Sequence, residues 1–449
     1  MPSLKNYFFR SETSIMKPKL FASLLIYFKI SLEKERISFL FACICIFLIP
    51  FYTSFIPPFM ILWLISRIFE ISINYRKYRI VPQYSRSVVT LAILFMIFYL
   101  SEAVTLIYSE NLSNGLNIVF SRLSLLVFPL LFIFPGQYLI KNVKFLTKLF
   151  ATGTVLYIIY CFLYAVIRSV SFVDGQIILN THPPEGYWMS YFFGSFLSVN
   201  QHPSYAAIFV ILSILVALES ILGSDTKRER YFWIMSSMIL LGSVYFLSSR
   251  AGFIIIFITI PLYLFIKLKS LIKKISLIIL LISLIIAGVF VVKTNERINI
   301  ILGYVADGSF REKIASDGRI LIWKSALEVI KNNPVTGVGI GDVRDELMEI
   351  YEDVGDEDII TSRYNAHNQF LEIAVEGGLI SLFIFLSLIV YMVYRAISLQ
   401  NLIFGQFLII ILIFFMFETV LYRLAGVSFF SVFSFLLLYY KPSGITNKV

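Results

Sequence analysis

The sequence predicts an all-α integral membrane protein with about twelve transmembrane helices and one helical domain outside the membrane. Three observations carry that prediction. First, 58% of the 449 residues are hydrophobic and 15% are charged, with mean hydropathy +0.84, whereas a soluble domain is nearer half apolar and a quarter charged. Second, apolar runs of about 18–22 residues recur, the length a helix needs to cross the hydrocarbon core, and twelve of them would use roughly 240 residues. Third, a polar stretch from Thr294 to Glu376 interrupts these runs, and its apolar residues recur at helical spacing. An outer-membrane barrel would instead show segments of about ten residues with alternating polarity.

Residues 1–36 form a cytoplasmic N-terminal segment, basic and polar to about Lys19, with no cleavable signal peptide evident before the first apolar run. Within it Phe21, Leu24, Leu25 and Phe28 fall at helical spacing between lysines, which suits a helix lying on the membrane or one packed under the bundle. Residues 37–293 hold nine spans: Ile37 to Phe55 and Ile56 to Ile73, a tight hairpin or partly re-entrant pair around Pro50, Pro57 and Pro58, then Val88 to Tyr108, Ile118 to Pro135, Leu146 to Val170, Pro203 to Leu222, Tyr231 to Ser248, Ala251 to Leu268 and Ser276 to Val292. Residues 294–376 form the extracytoplasmic loop. Residues 377–440 supply Gly377 to Ala396, Leu402 to Val420 and Ala425 to Tyr440, and residues 441–449 a cytoplasmic tail. Cys43, Cys45 and Cys161 sit inside apolar runs, as small core residues do.

Direction follows from the Lys and Arg, which cytoplasmic loops retain. Arg76, Lys77, Arg79 and Arg86, then Lys141 to Lys148, Lys227 to Arg230 and Lys267 to Lys274, mark four inside loops. With both termini inside, the stretch Thr294–Glu376 lies outside, and it carries 8 basic and 16 acidic residues while the rest of the chain is net +18. The overall charge of +10 is thus an orientation signal and gives no reason to expect a nucleic-acid partner.

The outside loop reads as folded. Ile320, Trp323, Leu327 and Ile330 define a helix that stops at Asn332-Asn333-Pro334; Val343, Leu347, Ile350 and Tyr351 define a second; and Asn365 is the expected N-cap of a third that runs into Phe370, Leu371 and Val375. Gly337-Val338-Gly339-Ile340-Gly341 is a turn; with no preceding strand and no following Lys-Ser/Thr it does not suit a nucleotide. The acids from Asp342 to Asp358 lack the Asp-x-Asp-x-Asn-Gly pattern of a calcium loop and read as a solvated face.

Polar residues on the outer side, at span ends and in the loop, carry the chemistry. They are His202, Arg250, Arg319, His367, Glu418 and Arg423. A guanidinium at the membrane boundary needs an anion, so Arg250 would pair with Glu418 or with a substrate phosphate, and a second forked cation at Arg319 suits a diphosphate. His367, close to a helix start, is favoured neutral by the helix dipole and can serve as a base, a cap or a packing residue. Without paired acids, HExxH or Cys/His metal spacing, the set calls for no metal or other cofactor and points to acid/base chemistry with an anionic leaving group.

Four segments in order, Arg319-Ile320-Leu321-Ile322-Trp323, Asn333-Pro334-Val335-Thr336-Gly337-Val338-Gly339, Asn365-Ala366-His367-Asn368-Gln369-Phe370-Leu371 and Glu376-Gly377-Gly378-Leu379-Ile380, closely resemble the O-antigen ligase and O-antigen polymerase superfamily. Ser249-Arg250-Ala251-Gly252 upstream and Glu418 to Arg423 with Gly426 downstream extend the resemblance from about Asn200 to the C-terminus. It implies a metal-independent inverting glycosyltransferase of the C type, working on the outer face of the bacterial inner membrane with a polyprenyl-diphosphate-linked glycan as donor. Family roles would give the diphosphate to Arg250 and Arg319 and activation of the acceptor hydroxyl to His367, with His202, Glu418 and Arg423 as supporting residues. The acceptor would be the lipid A core for a ligase or a second lipid-linked glycan for a polymerase. A large loop late in the chain, with its histidine near the end, favours the ligase. A flippase or transporter of the same substrate is the rival of another class; it would show internal repeats and deep charges, for which Glu102, Arg122, Arg168 and Glu219 are the candidates.

Overall fold

A computed structural model describes residues 35–74, 85–173, 175–183, 190–270, 272–275, 278 and 318–441. The protein is an all-α multi-pass membrane protein. Apolar runs become helices because a chain in hydrocarbon must satisfy its backbone N–H and C=O groups internally. Among the described residues eight helices are long and apolar enough to cross a membrane, and Arg36–Leu48, Leu402–Phe417 and Leu424–Tyr439 are shorter apolar helices. The expected span Ser276 to Val292 lies outside the described residues except for Ile278, as do the N-terminal surface helix and Thr294 to Asp317.

Pro203–Leu222 is the hub of the bundle. In its apolar window 83% of residues are buried by protein, against 28% in Arg250–Lys267. The hub packs against Val143–Ser169, Lys227–Leu247 and Arg250–Lys267. The Ser213 hydroxyl on the hub donates to Thr154 Oγ1 at 2.9 Å, a short polar link between helices where the hydrophobic effect gives none. Phenylalanines fill the rest of the core, with Phe150 edge-on to Phe433 at 4.6 Å and Phe95 stacked on Phe430 at 5.3 Å.

Several boundaries differ from expectation. The first span is a 13-residue helix, Arg36–Leu48, joined through a short 3₁₀ turn at Thr53–Phe55 to Ile56–Ile73, whose prolines fall in its first turn where a missing N–H costs nothing. The expected span Ile118 to Pro135 starts earlier and breaks into Leu112–Ser121 and Ser124–Ile133, with Arg122 at the break. A two-stranded antiparallel hairpin, Val170–Val173 with Gln176–Leu179, follows the Val143–Ser169 helix and is absent from the sequence expectation.

The polar segment is folded into Gly318–Asn332, Val343–Val354 and Glu357–Ser362, with a small core around Ile322, Ala326, Leu347, Tyr351 and Ile359. Its first helix buries Ile322, Ala326 and Val329 and leaves Leu327 55% exposed, so the expected stripe through Leu327 is displaced around the helix. Asp342 clamps this segment to the turn before Leu112, accepting from Glu110 N at 2.8 Å and Asn111 N at 2.7 Å. The glycine run lies against backbone: a Cβ on Gly337 would stand 2.4 Å from Val375 O, and one on Gly341 2.4 Å from Asn111 O. Opposite it, the Gln369–Ser398 helix is interrupted at Gly377 (φ −128°) and Gly378 (φ 64°), which lets Val338 N and Gly339 N donate to Val375 O and Glu376 O at 2.9 Å each.

Candidate functional site

One end of the bundle is built from helix starts and turns. His202 caps Pro203–Leu222, its Nδ1 accepting from Ser204 N at 3.3 Å, which leaves Nε2 to carry the proton of the neutral ring. The Lys227–Leu247 helix ends with Ser248 in the left-handed region (φ 53°), and Ser249 Oγ accepts from Gly252 N at 3.1 Å to start the next helix at Arg250. Gly252 is required there: a Cβ would approach the Cβ of Ala207 to 2.8 Å, so its absence lets the Arg250 turn close on the hub helix. Arg319, second in Gly318–Asn332, places its guanidinium 5.9 Å from the centre of the Phe417 ring.

His367 stands at φ 43°, two residues before the first residue of the Gln369–Ser398 helix. The cap is Asn368, whose side chain accepts from Phe370 N and Leu371 N; the expected cap, Asn365, instead accepts from His367 N and donates to Thr419 Oγ1 at 2.5 Å. His367 therefore lies one residue before the cap. Its Nδ1 is 3.3 Å from Glu418 Oε2, and its ring meets Tyr364 edge-on at 5.2 Å. Glu418 Oε1 accepts from the Ser204 hydroxyl at 3.2 Å. The sequence offered Glu418 as a partner for Arg250; its partners in the structure are His367 and Ser204.

His202, Arg250, Arg319, His367 and Glu418 all line a single cavity of about 700 Å³, together with Asp356. That volume lies within the range of small-molecule sites. Arg423, the residue before Leu424–Leu436, is exposed and does not line the cavity, and neither does His182. Ser195, Asp356 and Tyr364 also line it; nothing in their local sequence marks them out.

Electrostatics in the cavity favour a carboxylate and a neutral ring. Burial pushes the Glu418 carboxyl up, but the His367 hydrogen bond and the charges of His367, His202 and Arg319 outweigh it, holding Glu418 below the usual carboxylate value. His202 is lowered, first by the protein packed round it and then by Arg423, His367 and Arg319, with Glu418 opposing. Its cap on Ser204 N also needs an unprotonated Nδ1. With Glu418 accepting at Nδ1, His367 keeps Nε2 as the nitrogen that can take a proton, the arrangement of a general base steadied by a carboxylate.

The deep charges have protein partners. Arg122 pairs with Glu376 and Glu102, and Glu219 with Lys267 and the Tyr263 hydroxyl. Arg168 donates to Phe196 O and lies over the rings of Tyr164 and Tyr191. In the acidic stretch, Asp345 pairs with Arg363 at 3.1 Å.

Residues 235–386 match the family model described as O-antigen ligase, a segment that includes Arg250, Arg319 and His367. No curated protein matches the chain.

Proposed function

We propose, from the match of residues 235–386 to the O-antigen ligase family model, that the chain is a member of the O-antigen ligase and polymerase superfamily and transfers a glycan from a polyprenyl-diphosphate carrier to an acceptor hydroxyl. One observation carries this reading: the His367–Glu418 pair and the two arginines, Arg250 and Arg319, border the same cavity. In the proposed step the acceptor hydroxyl gives its proton to His367 Nε2 while its oxygen bonds to the anomeric carbon. The bond from that carbon to the phosphate oxygen breaks, and the lipid diphosphate leaves with the electron pair. Arg250 and Arg319 meet the charge as it develops on the leaving group, where fixed cations accelerate most. Glu418 holds the Nδ1–H and steadies the imidazolium until its proton is lost. A single displacement of this kind inverts the anomeric centre, and these side chains supply it without a metal.

The site would face the periplasm from the inner membrane. What supports this is that the cavity residues sit at the ends of spans opposite to those rich in Lys and Arg, where Lys148 pairs with Glu229 and Lys267 with Glu219. For the acceptor we favour the lipid A core, from the late position of the large loop and its histidine. The polymerase is the second reading.

Deleting the gene and comparing surface lipopolysaccharide with glycan on the carrier tests the proposal. Long chains stranded on the carrier, beside a bare core at the surface, are the expected outcome, with no rescue by His367→Ala. Single repeats on the core would make it a polymerase. Normal glycans upon complementation with His367→Ala would overturn the mechanism.

A further inference from the structure

Arg122 lies at a helix break, with no exposed surface, and its guanidinium reaches two chain segments far from it in sequence. Nη1 and Nη2 grip both oxygens of Glu376 at 2.7 and 2.6 Å, Nη1 also meets Glu102 Oε2 at 2.9 Å, and Nε donates to the backbone carbonyl of Leu421 at 3.0 Å. A planar fork with donors on three sides can do this and an ammonium cannot.

The two gripped segments are the ones that carry the His367–Glu418 pair. Glu376 ends the two helical turns that start just after His367, and one turn back on that helix Glu372 Oε2 accepts from Ala366 N, the residue before His367, at 2.9 Å. Leu421 lies three residues after Glu418, and its own N–H donates to the buried Gln369 side chain at 2.7 Å. One guanidinium and one amide thus tie the His367 segment to the Glu418 segment from beneath. The His367–Glu418 contact, at 3.3 Å, is the link most open to change if that tie slips.

We infer that Arg122, outside the cavity, is a positioning residue that sets the register between His367 and Glu418, with Gln369 as its second tether. This rests on His367 acting as the base. It also gives the buried Arg122–Glu102–Glu376 cluster a task that needs no transport path.

A double-mutant cycle on purified protein in lipid vesicles, following glycan transfer from a lipid-linked donor, tests it. Arg122→Lys is expected to lower kcat by about 20-fold or more with donor KM within about twofold, since the cavity arginines are untouched. In a Glu418→Gln background the same change is expected to cost less than about threefold, because the pair it serves is already broken. Gln369→Met, which leaves the ion cluster whole, should show the same non-additivity and carries the test if Arg122→Lys does not fold. Equal losses in both backgrounds, or a loss confined to KM, would overturn the inference. Full activity of His367→Ala would instead overturn the reading of the base, and the two failures are read separately.

Discussion

The Ser204 hydroxyl and the Glu418 carboxylate lie 3.2 Å apart, so the start of the hub helix holds one oxygen of Glu418 while His367 holds the other. A carboxylate held at both oxygens cannot swing away from the imidazole without breaking a second bond. Glu418→Gln is therefore expected to reduce kcat about 10²-fold, in the range of a general base that loses its orienting charge. Ser204→Ala should cost only about two- to fivefold, the size of one neutral hydrogen bond. Initial-rate measurements on both variants check this order; a larger loss for Ser204→Ala would mean that Glu418 serves another partner.

Acid should weaken the fold through His202 before it does so through Glu418. Both groups are held below their ordinary values, 6.5 for the histidine and 4.5 for the carboxyl, so in each window the unfolded chain binds more protons than the folded one. Stability is accordingly lost as pH falls through those windows, the first opening just under 6.5 and the second just under 4.5. His202→Asn should flatten the upper window and leave the lower one. Thermal unfolding in detergent between pH 7.5 and 3 follows both, and an unchanged slope in the upper window of His202→Asn would contradict the assignment.

At Arg250 and Arg319 a lysine keeps the charge and loses the fork. If both bind one diphosphate, Arg250→Lys and Arg319→Lys should each raise donor KM and lower kcat, together reducing kcat/KM by about 10–100-fold per site. Binding of a non-transferable lipid diphosphate should weaken in parallel. Two variants with unaltered affinity for that lipid would remove the arginines from the donor site.

The interruption at Gly377-Gly378 tolerates no side chain at its second position. Gly378 has φ 64°, and a Cβ there would stand 2.2 Å from Val335 O. Gly378→Ala combines a left-handed backbone with a contact against main chain that cannot move aside, at an expected cost of roughly 1–3 kcal/mol or more. A drop in midpoint temperature, with the loop becoming open to protease, is the expected result. Wild-type protection would show that the two segments admit the methyl group without coming apart.

Much of this was legible in the chain because lipid imposes a simple rule on it. Pro203–Leu222 has the expected bounds, since His202-Pro203 starts a helix and the polar turn at Gly223 ends it. The five cavity residues stood out as polar side chains at span ends or in the loop, all assigned to one side. Their pairing was not legible: Glu418 and His367 are 51 positions apart, beyond any local periodicity. The break at Arg122 was hidden for the same reason, having no proline or glycine to mark it and its cause in Glu376 and Leu421. The hairpin is a different case. Asp174-Gly175 between Val170-Ser171-Phe172-Val173 and Gln176-Ile177-Ile178-Leu179 is a readable turn, overshadowed by the 27-residue helix before it.

The Arg122–Glu376 ion pair also has a consequence in time. Its members are separated by 254 positions, and a ribosome adding about 5–20 residues per second needs roughly 13–50 s to deliver the second after the first. Over that interval Glu102, already made, is the nearer counter-charge for a guanidinium entering the bilayer. Glu376 and the Leu421 carbonyl arrive only with the segments from Gln369 onward. A nascent chain that has not reached them has inserted the spans before Gln369 and still lacks both partners of Arg122, so the proposed site can assemble only after Leu421 has been made.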